Sequence, residues 1–490
     1  MYDAAGNRTS KTVLPSSLRS AYSYDPAYEL TQVMQGTKKT EPYTYDAAGN
    51  RTSRTTLPSN LAYSYSYDRI YELTQATLVS TGKASEKYTC DAVGDRLYSP
   101  GVPYTYNTQH EMTAREGVTY CYDANGNTLS KASGASTCST GGGGGGGVDP
   151  SYAWDFENRL VGVALPASGG SISMKYDPFG RRIYKNAPAG TTIYVYDGNN
   201  SIEELSGTGA LQERYTYGPG IDEPLVGQRQ PKIFYYEADG LGSITSLTDP
   251  TGAVAATYTY DSFGFLTNST GSATNWFRYT ARQFDSDTAL YYNRARYYDP
   301  TTGRFLSEDP VRMKGGINFY RYVSNSPINL VDPFGFCPDG WTGLTQDQIA
   351  SFLNAAQDLT NLKLTHNQMD CSHFVHQSLE NAGIDVGAYA STQDMWNSPY
   401  YQPIDQGDVN PGDLIMFATT NNGGQSYSQH VVISNGADFI GSQNTTGPAT
   451  VTDWQNNNYW NGTDLSTILG EQNGALPEYG YRICLPVQSQ

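Results

Sequence analysis

The chain is short of charge. Only 16% of its 490 residues are Asp, Glu, Lys or Arg, and the basic ones are the scarcer kind, 31 against 48 acidic. The shortage is severe towards the end: from Cys337 to Gln490 only Lys363 and Arg482 stand against fifteen acidic residues. That stretch therefore holds −13 of the total −17 and leaves −4 for the first 336 residues. Affinity for nucleic acid rests largely on Lys and Arg contacts to phosphate, so the acidic stretch is poorly suited to it. Cysteine is scarce too, with six scattered residues. Cys90 and Cys121 sit in similar segments but one residue out of phase, so on paired strands they would point to opposite faces. A disulfide framework is therefore not expected. No apolar run approaches the ~18 residues of a membrane-spanning helix. The polar opening Met1-Tyr2-Asp3-Ala4 does not resemble a secretory signal. That opening falls inside a repeat, which implies sequence upstream. At this length two or more domains are expected.

Tyrosine and glycine are abundant, at 41 and 51 residues. Aromatic side chains favour strands and glycine admits positive φ, so the composition points to β-structure with many tight turns. Self-similarity gives the arrangement. Tyr2-Asp-Ala-Ala-Gly-Asn-Arg-Thr-Ser10 recurs unchanged at Tyr45 to Ser53. Tyr22-Ser-Tyr-Asp-Pro-Ala-Tyr-Glu-Leu-Thr-Gln32 recurs with two changes at Tyr65 to Gln75, and both shifts are 43 residues. Degenerate copies follow at Tyr88 to Asp95, Tyr120 to Asn127, Met174 to Arg181 and Tyr258 to Gly264. Each alternates Tyr with a small polar residue before Asp-x-x-Gly, which reads as a strand with one aromatic face turned by the Gly-Asn step. One unit cannot bury that face alone, whereas stacked neighbours can. No helical period of useful length precedes about residue 345. Gly141 to Gly147 is an unbroken glycine run, expected as a loop or flexible insert.

These motifs resemble the YD repeats of the RHS family over roughly the first two-thirds of the chain. The resemblance implies a mainly β fold, in which a spiralling antiparallel sheet closes into a hollow, cocoon-like shell. An ordinary β-solenoid or propeller without cargo is the plainer reading of the same repeats. Tyr291-Tyr-Asn-Arg-Ala-Arg-Tyr-Tyr-Asp-Pro-Thr-Thr-Gly-Arg-Phe-Leu-Ser-Glu-Asp-Pro310 is followed by Asn318-Phe-Tyr-Arg-Tyr-Val-Ser-Asn-Ser-Pro327 and Asp332-Pro-Phe-Gly-Phe336. Together they look like the RHS-associated core, whose end separates the shell from a variable toxin. In the family this segment often works as an aspartyl autoprotease that cuts after a final Asp-Pro-x-Gly-Leu. By position Asp309 and Asp332 match its two Asp-Pro acids, and the cut would fall between Phe336 and Cys337. Two carboxylates sharing a site do not both ionise readily, so one can act as acid and the other as base. This chain departs from the pattern twice: Asp309-Pro-Val-Arg312 does not end in Gly, and Phe336 stands in place of Leu. Asp-Pro pairs are also ordinary turn residues. The division expected is 1–270 for the repeat shell, 271–336 for the core with its autoproteolysis motif, and 337–490 for the cargo.

After Phe336 tyrosine thins and helical patterning begins. Thr345 to Ala356 carries a Thr in N-cap position and apolar residues at Ile349, Phe352, Leu353 and Ala356, which is helical spacing. Asp370-Cys-Ser-His-Phe-Val-His-Gln-Ser-Leu-Glu-Asn-Ala-Gly383 reads as a second helix, with Asp370 as N-cap and Gly383 as stop. Cys371 then sits in a first helical turn, where the dipole and free N–H groups favour a thiolate. Pro411 to Phe417 reads as a turn into a strand. His430-Val-Val-Ile-Ser-Asn-Gly436 reads as a strand beginning with His, and Phe439 to Gln443 as a third strand with a polar end. A Cys on a helix N-terminus and a His on a later strand suit thiol nucleophilic catalysis. The bland readings are a buried small hydrophobe at Cys371 and, for His366, His373 and His376, a zinc site. No second Cys pair or downstream ligand motif accompanies those histidines, so neither metal nor cofactor is expected.

The order of these motifs over about residues 345–450 resembles the NlpC-type cell-wall cysteine peptidases, which implies a small papain-like α+β domain. Carried over by position, Cys371 is the nucleophile, His430 the general base and Gln443 the polar orienter of His430, with Ser442 as the alternative. The Cys371 backbone N–H would help to form the oxyanion hole. This chain lacks the family's Tyr-x-x-Gly-Gly stretch before the Cys and has Thr360 to Gln368 instead, which bears on substrate choice.

The resemblances imply an RHS polymorphic toxin that encloses and releases a cysteine amidohydrolase acting on peptidoglycan peptides in rival bacteria. Its expected partners are that substrate, or a protein one, a cognate immunity protein and a secretion-system component met through upstream sequence. Neither nucleic acid nor a membrane span is expected. The protein is expected to be exported and to act in the target periplasm or wall. Two alternatives stay open: the same Cys–His pair used as a deamidase or acyltransferase on a protein, and a wall-associated adhesion protein whose last domain only binds.

Overall fold

Asp46 shows how one repeat turns the chain. Its Oδ1 accepts the N–H groups of Ala48 and Asn50 at 2.9 and 3.0 Å. Gly49 N donates to Asp46 O, and Asp46 N to Asn50 O. The backbone must then turn left-handed at Gly49, where φ is +82°, a conformation that costs glycine little. The same side-chain pattern recurs at Asp91, Asp123, Asp177, Asp239 and Asp261. The Gly-Asn step is thus not itself the turn that the sequence suggests. The loop has three residues with its glycine in the bulge position, and Asn50 lies beyond it.

A computed structural model describes residues 1–310 except 2–7, 14–17, 28, 36–38, 57–59, 100, 135–137, 139–149, 167–168 and 219–220. It then describes 317–336, and after that 341–343, 355, 371–381, 401–404, 414–420, 426–434, 439–443, 447–450 and 476–486. The fold is mainly β. Strands from Ser10–Val13 to Lys83–Lys87 form an eight-stranded antiparallel sheet, each paired with the next in sequence. Those from Thr89–Cys90 to Leu266–Gly271 close into a barrel. Among the described residues before the cargo, the helices are two single 3-10 turns, Tyr279–Ala281 and Val323–Asn325.

The alternating tyrosines do two jobs. The one directly before the Asp donates its hydroxyl to a carbonyl of the preceding strand: Tyr45 to Leu30, Tyr67 to Arg51, Tyr176 to Leu160 and Tyr260 to Ile244, at 2.6–2.9 Å. The one two residues earlier is buried on the same face, as at Tyr43, Tyr65, Tyr120 and Tyr258. Burying such a ring contributes roughly 1.5–3 kcal/mol, so the aromatic face is the main adhesive of the shell.

A four-stranded sheet of Gln283–Asp285, Leu290–Asn293, Arg296–Asp299 and Arg304–Phe305 follows. It and the residues up to 336 reach one repeat turn after another. Asn329 Oδ1 accepts Arg51 N, Asn325 donates to Gly94 O, Tyr320 to Gly126 O, Tyr292 to Gly180 O, and Tyr298 to Phe263 O. This segment caps the end of the sheet at which those turns lie. Its aromatic residues share one core with the barrel, including Tyr215, Tyr236, Tyr260, Phe277, Tyr279, Tyr298 and Tyr322.

One cysteine expectation needs correction. Cys121 forms a disulfide, to Cys138 rather than Cys90. The phase of paired strands does not govern this bond, because Cys138 lies past the strand Thr128–Ser133, outside the ladder. Cys90 carries a free thiol. The run Gly141 to Gly147 lies outside the described residues.

Among the described residues the last sheet has seven strands. Leu476–Pro486 lies between Trp341–Gly343 and Leu414–Thr420, then come Ser426–Ser434, Phe439–Gln443 and Gly447–Thr450, while Tyr401–Ile404 also pairs with Leu476–Pro486. One helix, Cys371–Asn381, packs against Ser426–Ser434 and Phe439–Gln443. The helix expected over 345–356 lies outside the described residues, apart from the helical, buried Ala355.

Candidate cleavage junction and thiol site

The end of the cap is held by a ladder of four. The carbonyl of Asp332 accepts from Asn293 Nδ2 at 2.9 Å, that of Pro333 from Arg294 Nη1, that of Phe334 from Ala295 N at 3.1 Å, and that of Gly335 from Arg296 Nε. Four consecutive residues thus hold four consecutive carbonyls in fixed register. Close approach demands glycine at 335: φ is +76°, and a Cβ there would collide with the Asn293 carbonyl oxygen. Phe334 and Phe336 pack on one another at 5.6 Å between ring centres, and both are buried.

The two predicted acids meet at this ladder. Arg296 Nη2 lies 2.8 Å from Asp309 Oδ2 and 3.3 Å from Asp332 Oδ2. All three side chains are almost fully enclosed, at 2%, 7% and 6% exposed. Burying two carboxylates with one guanidinium is costly unless hydrogen bonds support them, and such support is present for the Asp332 carboxylate, the guanidinium and the Asp309 backbone. Gly335 N donates to Asp332 Oδ1 at 2.7 Å, Asp309 N donates to Phe319 O at 2.9 Å, and Arg296 Nη1 donates to the same Phe319 O at 3.0 Å. Asp332 is therefore a turn residue and a member of the acid pair at once. Sequence reasoning missed Arg296, Arg294 and Asn293. Their only trace there is the Asn-Arg-Ala-Arg stretch, and nothing in the sequence links it to a segment 39 residues later. Cys337 lies outside the described residues.

In the cargo, Cys371 is the first residue of the helix Cys371–Asn381. It stands one turn before Val375, whose side chain is fully buried, as is that of Leu379 a turn further on. His430 lies within the strand Ser426–Ser434 and pairs with Phe417, so that strand begins four residues before the His instead of at it. The hairpin partner runs Ser434↔Phe439, Ile433↔Ile440 and Val432↔Gly441. His430 thus lies two residues before the last of these pairs on its strand, and Ser442 and Gln443 follow directly after it on the other. The helix that begins with Cys371 packs on both of these strands.

A shell of Tyr-x-Tyr-Asp-x-x-Gly hairpins, a cap ending in a buried acid pair, and an appended helix-and-sheet segment define a YD-repeat shell protein with a further domain after the cap. A family model, Teneurin YD-shell, matches residues 55–328, more than half of the chain, and the chain belongs to that family. A second model, the NlpC/P60 family, matches residues 356–468. Among curated proteins, the tRNA nuclease WapA of Bacillus subtilis is 32% identical over 51% of this chain and 11% of its own length. Double-stranded DNA deaminase toxin A of Burkholderia cenocepacia is 28% identical over 51% of this chain and 19% of its own. The chain thus spans about a tenth to a fifth of the length of these relatives. A solved Photorhabdus luminescens Tc holotoxin pore is 20% identical over 69% of this chain and 21% of its own, with a TM-score of 0.36.

Proposed function

We propose that the chain is the C-terminal part of an RHS polymorphic toxin, in which a YD-repeat shell carries a cysteine amidohydrolase that hydrolyses peptide amide bonds of peptidoglycan. The observation that carries this reading is the start of the helix at Cys371, packed on the strands that hold His430 and Gln443, all inside the NlpC/P60 match. In this mechanism the Cys371 thiolate attacks the amide carbonyl. His430 takes the thiol proton and passes it to the leaving amine, and water then hydrolyses the thioester. Gln443 orients the imidazole, with Ser442 as the alternative for that role. The WapA nuclease and the DNA deaminase act on nucleic acid by name, but two basic residues against fifteen acidic ones in 337–490 oppose phosphate binding here. The test is incubation of purified peptidoglycan with the protein and mass spectrometry of what is released. Absence of peptide release, with toxicity still dependent on Cys371, would move the substrate to a protein and favour the deamidase or acyltransferase reading.

The junction supports release by self-cleavage after Phe336. Asp309 and Asp332 lie against one Arg296 guanidinium in a buried site, and in the proposed step one carboxyl acts as acid and the other as base. The ionised acid draws a proton from water that adds to the Phe336 carbonyl. The other acid protonates the Cys337 nitrogen as the C–N bond breaks. The proposed divisions remain 1–270, 271–336 and 337–490. We place delivery by a secretion-system component, protection by an immunity protein, and action in a rival's periplasm or wall within the same proposal.

A further inference from the structure

Resting on the reading that the junction cuts itself, we propose that Asp222, in a turn of the shell, acts through Arg294 as a positioning residue, making self-cleavage conditional on a correctly folded shell wall. Among the described residues, Arg294 is the member of the four-residue ladder whose grip on the junction is itself held by the shell. Its Nη2 donates to Asp222 Oδ1 at 2.7 Å, and its Nη1 reaches both Asp222 Oδ2 at 3.1 Å and the Pro333 carbonyl. Nη2 also reaches the Asn199 carbonyl at 3.4 Å, in a neighbouring turn of the shell. The planar fork of a guanidinium is suited to such a double engagement, because two parallel donors fix its plane as well as its place.

The backbone shows that this placement is enforced. Arg294 has φ of +54°, a left-handed conformation that costs a non-glycine residue about 1–2 kcal/mol. Such strain persists only where the surroundings over-determine it. Here they do: Asp222 and Pro333 hold the head of the side chain, and the guanidinium stacks 5.1 Å from the centre of the Phe334 ring. Arg282 completes the anchor. Its Nη1 lies 2.5 Å from Asp222 Oδ1, while its other donors go to the Tyr292 carbonyl rather than to the junction. Asp222 is therefore fixed between two guanidiniums, one tied to the cap and one to the segment to be cut. The carbonyl held by Arg294 lies three residues before the scissile bond, next to the Asp332 carboxyl. A lapse at residue 222 would shift the segment relative to Arg296 and its two acids without removing any of them.

The test follows self-cleavage of freshly translated full-length chain on denaturing gels. Asp222→Ala and Arg294→Gln should each slow the first-order rate roughly 10- to 100-fold, the range expected when a reacting segment is misplaced by about 1 Å. Because the two residues act as one unit, the double variant should be no slower than the slower single. The pH profile of the residual rate should match that of the parent, since the acid pair is untouched. Arg282→Lys, which alters the anchor but not the junction contact, should cost less than Arg294→Gln. Parental speed in Asp222→Ala, or a double variant slowed by the product of the single effects, would overturn the proposal. If Asp222→Ala does not accumulate as folded protein, Arg294→Lys carries the test: it keeps a cation beside Asp222 but lacks the fork, and parental speed there overturns it equally. A parent chain that never splits sinks the self-cleavage reading instead, and is told apart by that result alone.

Discussion

Asp309 and Asp332 meet on a single nitrogen: Arg296 Nη2 lies 2.8 Å from the first carboxylate and 3.3 Å from the second. If this pair cuts the chain after Phe336, purified protein should run as two pieces on a denaturing gel, the smaller beginning at Cys337 by N-terminal sequencing. Asp332→Asn and Asp309→Asn should each leave one intact chain. Equal splitting in either variant would remove the assignment.

Gly335 offers a steric test of the same ladder. An alanine there would need the left-handed conformation and would press its Cβ against the Asn293 carbonyl oxygen. The first effect alone costs about 1–2 kcal/mol. Gly335→Ala should therefore slow cleavage strongly while circular dichroism of the shell stays unchanged. Unaltered cleavage would mean that the junction does not need this register.

Most of the shell is legible in the sequence because its rule is local. Alternating Tyr, the Asp whose side chain accepts two N–H groups and the positive-φ Gly all fall within a few residues, and each copy repeats the message. The loop type is less legible, since Gly-Asn resembles a two-residue turn until the Asp46 side-chain bonds are seen. The acid pair can be found by resemblance, but its partner Arg296 cannot, because their meeting depends on long-range packing of the cap. In the cargo the helix start at Cys371 and the strand Phe439–Gln443 follow from local pattern. The choice between Gln443 and Ser442 does not, because adjacent residues of a strand point to opposite sheet faces and local pattern alone does not say which one meets His430.

Two acids face each other in the barrel wall. Glu204 and Glu213 are cross-strand partners and both are buried. Burial, and then the charge of Glu213, pushes the Glu204 carboxyl up to about 7. Tyr215 donates to Glu204 at 2.9 Å, and Arg229 holds Glu213 at 2.5 Å. In the unfolded chain a Glu titrates near ~4.3, so the folded protein binds the extra proton between those values. The stability this gives is complete below about pH 4.3 and lost as pH rises through about 7. Glu204→Gln should raise Tm by a few degrees at pH 8 and make little difference near pH 4.5, as read by thermal melts at both. A variant that melts below the parent at pH 8 would contradict the raised value.

The cargo chemistry turns on whether Cys371 can be a thiolate near neutral pH. A stretch with a net charge of −13 opposes ionisation, so the helix N-terminus and His430 must outweigh that background locally. The helix begins at Cys371 itself, where unpaired N–H groups and the positive end of the dipole have their strongest effect. Cys371→Ala should therefore abolish toxicity of the released cargo, and Cys371→Ser should nearly do so, because a hydroxyl is a far weaker nucleophile beside a base tuned to a thiol. His430→Ala should be comparably damaging. Gln443→Ala should cost less, roughly 10-fold where the general base itself contributes about 10²–10⁴-fold, and a larger loss in Ser442→Ala would give the orienting role to Ser442. Cys337→Ala and Cys484→Ala should leave peptide release from peptidoglycan unchanged. Alkylation with iodoacetamide gives an independent reading: the parent should label at Cys371 well below pH 8.5, and His430→Ala should move that midpoint upward. Full toxicity in Cys371→Ala would remove the cysteine mechanism, whatever the labelling shows.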